Sequence, residues 1–289
     1  MKAFDYIRPQ SLKEASEHLS NSAHVKIMGG GATLLLQLQN EGLQPDILLD
    51  VKGLPGMEDV RYHHNHGLKL GAAVKVQHLA SGLEIRRHYP LLHQTAAKMA
   101  SPQIRNRATI GGTTAWASPI SELAASLLCY DASCHTWRPQ GTRTIAISEM
   151  YLGNDETALE PDEIITHITL PSFPARTFGV YDRHTVRHDG RQMIAGAAAL
   201  AVSRHNTLTH WRIAVLGVDT YPKRIPEAEI LLEGAPAEAD IMQALEAVQD
   251  AIHPQDVPYA RADYRRAVLN TLLNRHIHDI LQNFHGSVP

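Results

Sequence analysis

The chain has 289 residues, 44% of them hydrophobic and 20% charged, with a formal net charge of -3; that length favours two domains with ample apolar content to bury. Lys+Arg 27 against Asp+Glu 30 gives neither the basic field that nucleic acid requires nor a polybasic tail for lipid. No apolar run approaches the roughly 20 residues of a membrane span, and the start "MKAFDYIRPQ" lacks the apolar core of a secretory signal, so a cytoplasmic protein is expected.

In chain order, "SLKEASEHL" sets Ser11 three residues before Glu14, ahead of apolar residues at helical spacing, which predicts a capping-box helix start. "HVKIM" reads as a short buried strand, "TLLLQLQNEG" as a helix closed by Gly42, and "PDILLDV" as the next strand. These make a compact βαβ unit over roughly residues 1–55. "GLKLGAAV" predicts a strand after a turn, "VQHLASGLEIRRHYPLLHQTAAKM" a helix in two pieces, and "ISELAASLLCY" another amphipathic helix. "CHTWRPQGTRTIAI" reads as a β-hairpin and "DEIITHITLP" as a strand closed by proline. A domain boundary is expected just after Pro171, giving domains of 1–172, with lobes of about 1–55 and 56–172, and 173–289. The second opens with "FGVYDRHTVR" and has two strands joined through "RHNT" in a hairpin. It ends in helices from about Ala237, so the fold class is α+β.

Chemistry-bearing residues are sparse. Cys129 and Cys134 are too few to ligate an iron-sulfur cluster or a zinc site, so any such cluster belongs to another chain. Eighteen histidines invite a metal reading, but His63, His64 and His66 fall in an expected hairpin turn, and His276 and His278 on a surface helix, without carboxylate or thiol companions. They read as solvated, and no metal site is expected. His184 and His188 lie in a strand followed by a turn. Tyr181, Trp211 and Tyr221 read as core. No nucleophile-elbow spacing exists, so no catalytic residue is assigned.

Two glycine segments stand out. In "VKIMGGGATLLLQ", Gly29, Gly30 and Gly31 separate a strand from a helix, leaving bare backbone amides at the positive end of a helix dipole. The segment is either a phosphate site or a tight turn that needs glycine only for its φ angles. Asp50 lies about twenty residues on, as a ribose-binding acid would, but Leu34 stands where a dinucleotide fingerprint needs Gly or Ala. In "ATIGGTTAWASPISE", Gly111 and Gly112 sit in a turn between Thr109 and Thr113, followed by Ser118 and Glu122. One bend can hold one phosphate, and two can clamp a pyrophosphate; each also has the plainer reading of ordinary turn chemistry.

With "FDYIRPQSLKEASEHL", "MGGGATLL", "ILLDVKGL", "PLLHQTAAKMASPQIRNRATIGG", "SPISE", "PDEIITHITLP" and "YPKRIPEAEILLEG" in order, the chain resembles the FAD-binding medium subunit of the molybdenum hydroxylases, the family of xanthine and carbon monoxide dehydrogenases. The resemblance implies a vanillyl-alcohol-oxidase-like (PCMH-type) FAD domain of two lobes and a C-terminal antiparallel sheet with helices. It implies FAD contacts at Ile27, Met28, Gly29, Gly30, Gly31, Ala32 and Thr33, and at Thr109, Ile110, Gly111, Gly112 and Thr113. Ser118 and Glu122 fall by the cofactor's sugar or ribitol hydroxyls, Ile165 and Thr166 beside the flavin ring, and Arg183 near it. Implied partners are a large molybdopterin subunit, where substrate is oxidised, and a small iron-sulfur subunit, assembled as a dimer of heterotrimers; electrons pass through FAD to an external acceptor.

The chain departs from the family pattern where Met28 to Ala32 replace a more polar run, where Thr113 replaces Asn or Asp, Glu122 replaces Asp, and Met193 replaces Asp. Each lost polar contact costs about 0.5–1.5 kcal/mol. Those replacements motivate an alternative, a flavin-less scaffold subunit of the same kind of complex.

Overall fold

The computed structural model describes residues 3–21, 24–40, 42–153, 155–187, 192–234 and 236–286. The first lobe runs β1 (Asp5–Ile7), α1 (Leu12–Asn21), β2 (Val25–Met28), α2 (Leu34–Asn40) and β3 (Ile47–Asp50). Its parallel sheet has the order β1-β3-β2, with Leu48 and Leu49 of the central strand buried. Strand β1, unread in the sequence, pairs with β3 from Asp5 opposite Ile47. The predicted cap is present: Ser11 Oγ accepts the Glu14 amide at 3.1 Å. Glu14 returns its carboxylate to the Gln10 amide at 2.7 Å, one residue earlier than a full capping box.

The second lobe comprises β4 (Val60–His63), β5 (Gly67–Gly71), α3 (Val76–Ser81), α4 (Leu83–His88), α5 (Pro90–Lys98), α6 (Pro102–Arg105), α7 (Ile110–Ala115), α8 (Glu122–Cys129), β6 (Ser133–Arg138), β7 (Gly141–Ala146), α9 (Ile147–Met150), β8 (Tyr151–Gly153), β9 (Glu156–Thr157) and β10 (Ile164–Leu170). Its antiparallel sheet has the order β4-β5-β10-β6-β7, so the last strand in sequence closes the middle. The expected two-piece helix is three: Gly82, in extended conformation, ends α3, and Pro90 opens α5 at its first turn. A β-bulge interrupts β10 between Ile165 and His167.

The remaining elements are β11 (Thr177–Thr185), β12 (Met193–Arg204), β13 (Thr207–Leu216), β14 (Lys223–Arg224), α10 (Pro226–Leu231), α11 (Glu238–Ala251) and α12 (Ala262–Gly286). The predicted hairpin turns at His205 and Asn206, whose φ values of 49° and 59° are those of a type I′ turn. Strand β12 is buried on both faces. Ala195, Ala197, Ala199 and Ala201 face the core under α11 and α12, while Ala198, Leu200 and Val202 face the core shared with α8. Helix α10, unread in the sequence, starts on Pro226.

Among the described residues no helix is long and apolar enough to cross a membrane, and no group of three His, Cys, Asp or Glu could hold a metal ion. His63, His64 and His66 are exposed at the β4–β5 turn, His63 stacking on His64 and lying tilted against His66. His276 corrects the solvated reading: it is 1% exposed, with neither ring nitrogen hydrogen-bonded, and burial lowers its pKa to about 4. His184 is exposed on β11, and His188 lies outside the described residues. Tyr181 and Trp211 are core residues as expected, and Tyr221 packs against the core.

The C-terminal sheet is locked to α8 by charge. Glu229 accepts the Ile213 amide at 3.0 Å and Arg224 Nε and Nη2 at 2.9 and 2.7 Å, while Arg224 Nη1 and Arg212 hold Asp131 just past the end of α8. Removing one partner of a mostly buried pair strands the other. Glu229→Ala is therefore expected to lower stability by about 2–4 kcal/mol, measured by urea unfolding; a shift below about 0.5 kcal/mol would show that the network contributes nothing.

Candidate functional site

The site forms where β2 and β3 run out side by side. Register places Met28 opposite Asp50, and beyond that pair the chain must leave the sheet. Gly29, Gly30 and Gly31 make the exit, Gly31 with a φ of +73° that favours glycine. Ala32 and Thr33 lead into α2, the Thr33 carbonyl accepting the amides of Leu36 and Gln37 at 3.0 and 3.1 Å. The amides of Gly30, Gly31 and Ala32 have no hydrogen-bond partner among the described residues. Their carbonyl side is occupied: Lys52 Nζ donates to Gly29 O at 3.0 Å and Arg107 Nε to Gly30 O at 3.4 Å.

The second bend differs from its sequence reading. Gly111 and Gly112 lie in the first turn of helix α7, whose N-cap is Thr109. Every amide there is spent: Ile110 on Val74 O, Gly111 on Ala72 O, Gly112 on Thr109 Oγ1 at 3.2 Å and Thr113 on Thr109 O. The Thr113 hydroxyl is spent too, on Ile110 O at 2.9 Å. Glycine is required here for proximity. A methyl on Gly111 would sit 2.7 Å from Ala72 Cβ, whereas one on Gly112 would meet only Thr109 Oγ1, at 3.0 Å.

The two bends touch. A methyl on Gly29 would lie 2.7 Å from Thr109 Oγ1 and 3.9 Å from Gly112 Cα, and one on Gly30 would overlap the Arg107 carbonyl oxygen. They form one side of an open cleft of roughly 100 Å³, lined also by Ile27, Ala72 and Ala73, with Leu159, Ile164 and Ile165 across it. Glu163 borders it as well, its carboxylate held by Arg143 and Thr136. Burial would raise that carboxyl, but the Arg143 and Thr136 hydrogen bonds outweigh it and hold it below the ordinary value.

Of the sequence-predicted residues, Ile27, Gly29, Thr109, Gly111, Gly112 and Ile165 border this cleft. Met28, Ile110 and Thr113 are buried behind it. Thr166 falls at the bulge, its hydroxyl turned to His135 O at 3.0 Å and to His167 Nδ1 at 2.9 Å. Ser118 is buried and caps its own turn, its carbonyl accepting the Ser121 amide at 2.9 Å, and Glu122 and Arg183 form a separate group. Arg183 is hydrogen-bonded to Glu122 in a buried ion pair, and Tyr181 OH donates to the other Glu122 oxygen at 3.2 Å. That group joins the second bend through Ser121 Oγ, which donates to Thr113 O at 3.1 Å. Met193 packs its sulfur against Gly196 and Gly217.

The ribose-acid alternative fails on Asp50, which is 3% exposed and engaged by Tyr6 OH, by the Lys52 amide and ammonium at 3.1 and 2.6 Å, and by Arg8 at 3.3 Å. Burial opposes its charge, but the Lys52 and Tyr6 hydrogen bonds prevail and lower its pKa. Sequence reasoning missed Lys52 and Arg107. Lys52 was discoverable, since it lies two residues past the Asp50 that a parallel strand sets beside Met28; Arg107 was not, because its contact spans 77 residues.

Fold and cleft define an α+β chain whose two glycine bends meet beside one cleft. The family described as "FAD binding domain in molybdopterin dehydrogenase" matches residues 2–173, and "CO dehydrogenase flavoprotein C-terminal domain" matches residues 182–280. The alpha subunit of the 6-hydroxypseudooxynicotine dehydrogenase complex of Paenarthrobacter nicotinovorans is 31% identical over 94% of this chain and 93% of its own. The carbon monoxide dehydrogenase medium chain of Hydrogenophaga pseudoflava is 29% identical over 94% and 95%. The solved carbon monoxide dehydrogenase of that organism superposes with a TM-score of 0.91 at 28% identity, covering 96% of each chain. The chain therefore belongs to the FAD-binding medium subunits of the molybdenum hydroxylases.

The residues present suit FAD. The first bend carries backbone amides with no hydrogen-bond partner among the described residues and borders the cleft at Gly29, and an exposed glycine, Gly112, lines it from the second. The glycine geometry separates two effects. Gly30→Val is expected to destabilise the fold, because its Cβ meets backbone; Gly112→Val is expected to leave the thermal midpoint within a few degrees while blocking the cleft. Thermal unfolding paired with flavin content checks both, and a Gly112→Val protein with parental flavin would contradict the placement.

Proposed function

We propose that this chain passes electrons from an iron-sulfur subunit through FAD to an external acceptor, while a large molybdopterin subunit oxidises the substrate. Bound FAD supplies the redox chemistry, taking electrons singly and releasing them singly or in pairs. The residues of this chain bind and orient. The Gly30, Gly31 and Ala32 amides serve the pyrophosphate, flanked by Ile27, Met28, Gly29 and Thr33. The second bend, Thr109 to Thr113, shapes the opposing surface. Ile165 and Thr166, at the bulge of β10, lie beside the flavin ring. Ser118 and Glu122 serve the sugar or ribitol hydroxyls; Glu122 keeps acceptor capacity beyond its bonds to Arg183 and Tyr181, and Arg183 adds a fixed cation near the ring.

The reading extends to organisation. The chain divides into an FAD domain over 1–172, with lobes of about 1–55 and 56–172, and a C-terminal domain over 173–289. It assembles with its large and small partners as a dimer of heterotrimers in the cytoplasm, away from membranes and nucleic acid. Convergence of two distant glycine segments on one cleft is the observation that carries this function. The purified chain is expected to show the visible bands of oxidised flavin at close to equimolar content. Colourless protein that takes up no added FAD would support the scaffold alternative instead.

A further inference from the structure

Among the residues lining the cleft the one charged side chain is Glu163, an acid already neutralised by Arg143. A doubly charged pyrophosphate there would meet no cation in the lining. Two cations stand immediately behind the first bend, however, each on a glycine carbonyl: Lys52 Nζ on Gly29 O at 3.0 Å and Arg107 Nε on Gly30 O at 3.4 Å. In a trans peptide the carbonyl of one residue and the amide of the next point in opposite directions. Anchoring the Gly29 and Gly30 carbonyls on cations therefore fixes the Gly30 and Gly31 amides pointing away from them, and those amides have no other partner among the described residues.

We propose that Lys52 and Arg107 are positioning residues that clamp the first glycine bend into an anion seat by holding its carbonyls, setting its amides toward the FAD pyrophosphate. This rests on the flavin reading above. Lys52 is the stronger of the two by distance, and it is itself held: its ammonium donates to Asp50 Oδ1 at 2.6 Å, and Asp50 is fixed by Tyr6 from β1. Arg107 reaches the bend from the loop that leads into α7, so it also ties one bend to the other. Oriented amides bind anions without direct contact from a cation.

The test uses the full chain freed of flavin and titrated with FAD. Lys52→Met is expected to weaken FAD about ten- to hundredfold, and Arg107→Met about three- to tenfold. Lys52→Arg, which keeps a donor, should restore affinity to within about threefold of the parent. At saturating FAD, the phosphorus NMR resonances of the bound pyrophosphate should move in Lys52→Met while the visible flavin bands stay in place. A purely structural role would not produce that split. Variants with parental affinity and unshifted phosphorus resonances would overturn the proposal, as would loss of affinity with unshifted resonances. A parent that binds no FAD would overturn the flavin reading and this inference together, whereas a flavin-replete parent with indifferent variants overturns this inference alone.

Discussion

The site depends on a backbone-to-backbone contact that side chains would forbid. Gly29 lies against the Thr109 hydroxyl and Gly30 against the Arg107 carbonyl, nearly eighty residues away in sequence, at distances where a methyl group collides. Interiors are packed too densely to absorb such an intrusion. The glycines therefore do two jobs that look alike in sequence. Gly30 and Gly111 are needed because protein backbone presses on them, whereas Gly112 has only Thr109 Oγ1 close by and, on the proposed flavin reading, is needed for the ligand.

The rest of the fold brings that contact about. Strand β3 places Asp50 beside Met28, so the first bend leaves the sheet where Lys52 can reach its carbonyl. The second bend hangs from β5, because Ala72 and Val74 carbonyls take the Gly111 and Ile110 amides at 2.9 Å each. Strand β10 then closes the sheet between β5 and β6 and supplies the far wall of the cleft. The Thr166 carbonyl accepts the Ala72 amide at 2.9 Å, one position past the His167–Gly71 pair, so wall and bend share one hydrogen bond. On the other side, small residues at alternate positions of β12 let α8 and α12 approach opposite faces of one strand.

Much of this was legible because it is local. Ser11 and Glu14 announced a helix start, His205 and Asn206 a hairpin turn, and the strand rhythm of "DEIITHITLP" the closing strand. What stayed hidden was set by partners far away in sequence. Strand β1 has three residues and exists because β3 is there to pair with it. Helix α7 was read as a turn, since glycine pairs argue against helix and only the caps from Thr109 and Val74 show otherwise. His276 looked solvated because a lone histidine on a helix carries no mark of which face it takes.

The replaced polar positions take on a different meaning once the two bends are compared. The resemblance implied an anion held by polar side chains from both, yet Ala32 and Met28 offer none, and the Thr113 hydroxyl is consumed by Ile110 O. The second bend cannot compensate with its backbone, because its amides are all bonded within the protein. On the proposed flavin reading, anion recognition is concentrated in the first bend, whose amides have no partner among the described residues and whose carbonyls rest on Lys52 and Arg107. A seat of oriented peptide groups loses no side-chain entropy on binding, whereas each flexible polar side chain it replaces must be immobilised at a cost approaching about 1–2 kcal/mol. Substituting apolar residues in the bend while anchoring its carbonyls on cations is thus compatible with retained affinity, and it moves the decisive residues from the glycine motif to positions 52 and 107 that flank it.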